Sequence, residues 1–387
     1  MNKSLLPSAG WKSWQAYEGL NFPSMNERLQ DFMVSMNKSA LIKHAEITTG
    51  RTLSLSKPFS AGFNWCCFEL IANDGTFFIA RVKLPRHPDD DDTVDEDSVS
   101  YMRKCEIATM NFLQERVEAV SVPQIYGWAM PGSQNAQEVG AACMLIEGFQ
   151  GNVLFDGHSK VYDLPISAQE HISAQWTSFQ AGLATVTFTQ TGSISNFSKD
   201  TGPIIGKIGA AVGEGFSTGG PFGKAKEYFK VLAEARYRDC VIRLSSKMSA
   251  HSLSVTWTWE HNIIVDDDFN FLAVIDWELA QAVPWEANHY PMPFPLIQTD
   301  TTVNKIMQDS THLAQEDTTS QGVARKLYRQ KFRNAEQALA ISGRPLGKSI
   351  AGLLDGYAMV QLAYGLESKE ARRYLRKLET HMNTNND

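Results

Sequence analysis

The chain has 387 residues, is 43% hydrophobic and carries a formal net charge of −7. That length is enough to build cores for two lobes, and an acidic balance with no basic cluster excludes nucleic acid as a partner. Five cysteines (Cys66, Cys67, Cys105, Cys143 and Cys240) show no C-x-x-C spacing. This argues against a thiolate metal site or a disulfide framework, and for reduced core thiols in a reducing compartment.

The opening residues 1–20 lack the apolar core of a signal peptide, and no stretch reaches the length of a membrane-spanning helix. A cytoplasmic protein is expected. Residues 1–46 read as partly helical, with Leu29, Phe32, Met33 and Met36 forming one apolar stripe. From Leu53 to Leu84 the pattern turns to strands. A run from Trp65 to Ile71 is followed by the turn Asn73, Asp74, Gly75, and Thr76 to Val82 returns as its hairpin partner. The acidic stretch 89–97 reads as a solvated loop and helix N-terminal charge. Thr93 to Glu96 has the form of a capping box, predicting a helix to about Val117.

Residues 122–128 and 142–147 continue the small sheet, and 147–151 reads as a linker. A helix over 169–187 presents Ile172, Trp176, Phe179, Leu183 and Val186 on one face. The Gly/Ser/Thr-rich run 189–223 reads as a long irregular binding loop or mobile segment. Helices are expected over 224–247, 303–340 and 347–381.

The stretch 253–278 organises the rest. Ile263, Ile264 and Val265 form one short strand, Asp266, Asp267 and Asp268 supply turn residues, and Phe271 to Ile275 returns. Asn262 precedes this hairpin and Asp276 follows it, so closure brings two oxygen-bearing residues to one end. Such a pair suits a hard divalent cation that also holds phosphates.

The run Asn262 to Asp266, the signature Val274 to Glu278 and the run Val283 to Glu286 together resemble the aminoglycoside/choline phosphotransferase-like branch of the kinase fold, especially its fungal branch. The likeness covers roughly residues 45–295. It implies a bilobal α+β fold. The N-lobe, residues 1–147, is an antiparallel sheet plus helices, and the mainly helical C-lobe spans 148–387. It places a phosphate-contacting base on Arg81, its helix partner on Glu106, and the two metal ligands on Asn262 and Asp276. It also places the family's catalytic-loop His on Val255 and its catalytic-base Asp on Trp257, and neither residue type is present.

General-base assistance is worth about 10²–10⁴ in rate, and neither Val nor Trp supplies it. The replacement makes the acceptor side apolar and aromatic. The expectation is therefore a repurposed kinase-fold enzyme that transfers no phosphate and needs no cofactor or metal. It would act on an apolar small molecule as an intramolecular cyclase, of the pericyclic or Diels–Alder type used in natural-product biosynthesis. Trp257, Trp259, Glu260 and His261 are its candidate catalytic residues, and Val255 and Tyr290 its substrate contacts. Arg81, Glu106, Asn262 and Asp276 would persist as a vestigial nucleotide site. The alternative is a nucleotide-binding pseudokinase, or an atypical small-molecule phosphotransferase using Glu260 or His261 as base.

Overall fold

A computed structural model describes residues 23–62, 64–86, 95–118, 121–154, 161–213, 215–236, 251–255, 262–284, 300–347 and 349. The chain separates into two compact units, each drawn from several segments. The first comprises Met1–Ser100, Ser121–Asp156 and His261–Ile275; the second comprises Tyr101–Val120, Gly157–Glu260 and Asp276–Asp387. The class is α+β, with an antiparallel sheet and two helices dominating the first unit and helices dominating the second.

The first unit opens with α1 (Pro23–Ser35) and α2 (Lys38–Thr49). The Asn37 side chain caps α2 by accepting the Ala40 N–H, and Gly50 ends it in the left-handed conformation that only glycine adopts cheaply. Strands β1 (Leu53–Ala61), β2 (Trp65–Ala72) and β3 (Phe77–Lys83) follow. After the start of α3 (Glu96–Arg116) come β4 (Ile125–Ala129), α4 (Gln134–Val139) and β5 (Cys143–Glu147). The sheet order is β1-β2-β3-β5-β4, every pair antiparallel. Pro58, which cannot donate to a ladder, sits on the edge strand β1 between two register shifts.

Strand alternation divides the residues of β2 and β3 between two faces. Cys66, Phe68 and Leu70 join Phe78, Ala80 and Val82, and pack with Leu29 and Phe32 of α1, Leu41 of α2 and Met36 of the link between them into one core. Each such large apolar side chain contributes roughly 1.5–3 kcal/mol by leaving water. The expected stripe on the first helix is therefore its core face, with Met33 half-buried at the margin. The other face of the sheet carries Trp65, Cys67 and Glu69, paired across to Lys83, Arg81 and Ile79.

The same unit holds a three-stranded sheet in which β6 (Asn152–Val153) pairs with β11 (Ile263–Val265), and β11 pairs with β12 (Phe271–Val274). Gly151 lets the chain lie against this hairpin. A Cβ there would stand 2.5 Å from the Val265 carbonyl oxygen and 2.8 Å from the Ile264 side chain.

The second unit contains the body of α3, α5 (Ile166–Ala184), β7 (Thr187–Phe188), β8 (Ile194–Ser198), β9 (Gly202–Ile205), α6 (Ala225–Arg236), β10 (His251–Val255), β13 (Ala280–Pro284), α7 (Asp300–Gln308) and α8 (Gln315–Ile341). Helix α5 is its spine: Ile172, Trp176, Phe179 and Leu183 are buried, and the Tyr328 hydroxyl of α8 donates to the Gln180 side chain. Phe179 also meets the fully buried Trp277 ring edge-on, 6.3 Å between centroids.

Helix α3 starts one residue after Asp95, whose carboxylate accepts the Ser98 N–H at 2.7 Å, while the expected capping residue Thr93 lies outside the described residues. Two expectations are corrected here. The run 189–223 is not wholly irregular, because β8 and β9 form a hairpin within it and Gly192 pairs with Ala282. The single helix expected over 303–340 is two, broken where Asp309 accepts the N–H and hydroxyl of Thr311. Of the helix expected over 224–247, residues 225–236 are helical and 237–247 lie outside the described residues, as does nearly all of 347–381.

Candidate functional site

The hairpin β11–β12 is closed at its tip by Asp266. Its carboxylate accepts the N–H groups of Asp268 (3.0 Å) and Asn270 (2.8 Å) and the Asn270 side-chain amide (2.8 Å). The tip acids therefore include a turn-builder that replaces backbone partners with side-chain oxygens. At the base, the Ile275 N–H donates to the Asn262 carbonyl at 2.8 Å, and the Val274 N–H donates to Ser121 at 2.8 Å. Asn262 is thus held opposite the residue that immediately precedes Asp276.

Asp276 itself has φ +66. For an L-residue that region is crowded by Cβ, at roughly 1–2 kcal/mol for most side chains and less for Asp or Asn. Such conformations persist where surrounding structure imposes them and they concentrate at functional sites. Asp276 is also the first residue after the chain leaves the first unit for the second.

In the second unit, Glu106 lies on α3 with its side chain wholly buried and ion-paired to Arg103 one turn earlier. Arg103 also reaches the Glu278 carboxylate at 3.2 Å. One guanidinium thus serves two carboxylates, the second belonging to the signature Val274 to Glu278. The sequence reading missed Arg103. Its i,i+3 spacing from Glu106 was visible, but its link to Glu278 was not. One residue before Glu106, burial pushes the Cys105 thiol up to about 11, which keeps it protonated and inert at neutral pH. The expected Arg81–Glu106 ion pair joins residues of different units and remains a proposal.

On the first unit's second sheet face, the Arg81 guanidinium stands 4.7 Å from the Trp65 ring centroid. The Lys83 ammonium stands 5.8 Å from the same centroid and donates to the Asn64 side chain at 2.8 Å. Val255 ends β10, paired with Ala280 of β13. Trp257, Trp259, Glu260, His261 and Tyr290 lie outside the described residues.

Among the described residues no group of three or more His, Cys, Asp or Glu side chains could hold a metal ion. The Asn262 amide and the Asp276 carboxylate are each of a donor type that suits magnesium, which binds proteins through one or two carboxylates and completes its shell with phosphate and water. No described helix is long and apolar enough to cross a membrane.

The chain matches no protein-family model and no curated protein sequence. Among solved structures it is similar to a macrolide 2'-phosphotransferase of Brachybacterium faecium, at 14% identity and TM-score 0.43, over 89% of this chain and 98% of that one. It is also similar to an amicoumacin kinase, solved with a nucleotide analogue and calcium, at 10% identity and TM-score 0.42, over 91% and 96% of the two chains.

Proposed function

We propose that this chain is a kinase-fold enzyme acting on a small molecule, with Asn262 and Asp276 retained as the ligands of a nucleotide-bound divalent cation. The observation that carries this reading is the left-handed Asp276. A strained acid directly beyond a hairpin closed onto Asn262 is costly to keep for packing alone. Magnesium would supply charge neutralisation of the phosphates there. The chain's own part would be an amide oxygen from Asn262 and a carboxylate oxygen from Asp276, with Arg81 as the basic residue for the phosphates. With Val255 and Trp257 at the catalytic-loop positions, proton removal falls to Glu260 or His261, and transfer is slower than with a positioned Asp by up to about 10²–10⁴.

A second reading keeps the same scaffold and drops phosphate. The apolar run Val255, Trp257 and Trp259 favours a greasy substrate folded for an intramolecular closure of the Diels–Alder type. Proximity alone can supply about 7–11 kcal/mol in such reactions, and a hydrogen bond from a tryptophan N–H, His261, Arg81 or Tyr290 to an activating carbonyl would add to it. This is the natural-product cyclase expected from the fungal-branch resemblance.

Melting the protein with and without Mg-ATP separates the two readings. A ligand binding only the native state at 100 times its Kd stabilises it by about 2.7 kcal/mol. A clear shift that disappears in Asp276→Ala supports the first reading. No shift, together with turnover of a polyene substrate in EDTA, supports the second and overturns the first.

A further inference from the structure

We propose that Ser193 is the positioning residue for Asp276, holding the segment that follows Asp276 against the loop at 206–209. Four hydrogen bonds converge on this one residue. Its hydroxyl donates to the Ala280 carbonyl at 3.1 Å and accepts the Gly209 N–H at 3.0 Å. Its own N–H donates to the Lys207 carbonyl at 3.3 Å, and its carbonyl accepts the Gly206 N–H at 2.9 Å. Ser193 is 3% exposed, so water has little access to these groups and each bond removed strands a partner. Beside it, Gly192 and Ala282 exchange both backbone hydrogen bonds, at 3.0 and 2.7 Å.

A second path joins the same two places. The Lys207 carbonyl also accepts the Tyr101 hydroxyl at 3.0 Å. Tyr101 stands on α3 two residues before Arg103, and Arg103 holds Glu278. Ser193, the loop, Tyr101, Arg103 and the segment 278–280 thus close a ring, all of it within the second unit. The ring is tight at Gly206, where a Cβ would stand 2.5 Å from the Tyr101 hydroxyl and 2.7 Å from that of Ser195.

An Asp is not bound to the left-handed region by its own propensity, so the place of the Asp276 carboxylate depends on how its neighbours are held. Residues 277–280 make a turn, closed by the Ala280 N–H on the Trp277 carbonyl at 3.1 Å. Arg103 grips that turn at Glu278 and Ser193 grips it at Ala280. Groups that orient a metal ligand are worth roughly 10–100-fold in metal affinity. This role rests on the nucleotide reading for what Asp276 binds, but the hold of Ser193 on the turn does not.

The test titrates magnesium calorimetrically into the full chain at constant ATP. Ser193→Ala should raise the half-saturating magnesium concentration about tenfold and leave ATP binding in EDTA unchanged. A purely structural loss would lower the melting temperature and move neither. In an Asp276→Asn background, Ser193→Ala should add nothing, because both act on one ligand. Tyr101→Phe removes a single hydroxyl from the ring and should shift the magnesium dependence the same way by less; it carries the test should Ser193→Ala not fold. Equal magnesium dependence of wild type and variant, or a further loss in the Asp276→Asn background, overturns the role. Hydrogen exchange without ligand is the arm that needs no nucleotide: residues 277–284 should open earlier in Ser193→Ala, and unchanged exchange there also overturns the role. Earlier opening in a protein that ignores Mg-ATP leaves the hold on the turn standing and sinks the nucleotide reading alone.

Discussion

Arg103 and Glu278 are 175 positions apart in the chain, yet a guanidinium nitrogen of one lies 3.2 Å from a carboxylate oxygen of the other. The same Arg103 is ion-paired to the wholly buried Glu106. Helix α3 and the residues just after the hairpin are thereby tied together by one cation.

Removing that cation leaves a charge-dense, water-poor pocket behind. Arg103→Met is expected to destabilise the second unit by about 3 kcal/mol or more, since breaking a buried ion pair from one side strands the other charge. The double variant Arg103→Met with Glu106→Met should recover much of the loss. Urea unfolding of the two variants and wild type checks this. Equal stability of Arg103→Met and wild type would show that the pair does not hold the unit together.

Asp276 separates backbone strain from ligand chemistry. Asn tolerates the left-handed region nearly as well as Asp, so Asp276→Asn should stay within about 1 kcal/mol of wild type. A β-branched side chain does not, and Asp276→Val should cost roughly 1–2 kcal/mol more. Both should lose the magnesium-dependent part of the ATP-induced melting shift. An Asp276→Asn variant that keeps the full shift would remove the carboxylate from the proposed metal site.

The hairpin tip gives a prediction independent of function. Asp266→Ala deletes three hydrogen bonds to one carboxylate. At about 0.5–1.5 kcal/mol net for each, and with water able to replace part of each at this exposed tip, the expected loss is about 1–2 kcal/mol. Hydrogen exchange should show it as earlier opening of residues 263–274, with the five-stranded sheet protected as before.

Acid sensitivity follows from the caps. Hydrogen bonds from Ser98, first from its hydroxyl and then from its N–H, hold the Asp95 carboxyl below its ordinary value of 3.8. A depressed folded-state value means that the contribution is present in full above 3.8 and is lost as pH falls through the folded value. Asp95→Asn should therefore be less stable than wild type near neutrality, and the difference should shrink as the pH drops below about 4. A gap that widens in acid would contradict the cap.

Much of the first unit was legible in the sequence because its signals are local. Alternation over 65–71 and 76–82 with Asn73, Asp74 and Gly75 between them predicts the β2–β3 hairpin, and Gly75 indeed turns with φ +87. The stripe of Leu29, Phe32 and Met36 predicts a core helix, and the three side chains are buried. The β11–β12 hairpin after Asn262 was also readable, since turn chemistry and strand length set it within about a dozen residues.

What the tertiary structure decided depends on partners distant in sequence. The β8–β9 hairpin was hidden in a Gly/Ser/Thr-rich run because its neighbours are Phe222 and Ala282, which pair with Thr191 and Gly192. Glu106 acquired Glu278 as a co-ligand of Arg103 only when the chain folded back. Trp65 and Lys83 drew no notice singly, and they meet only through β2–β3 register. The sign of φ at Asp276 was likewise set by the structure on either side of it. Asp tolerates the left-handed region better than most residues without requiring it, so its own propensity leaves the sign open.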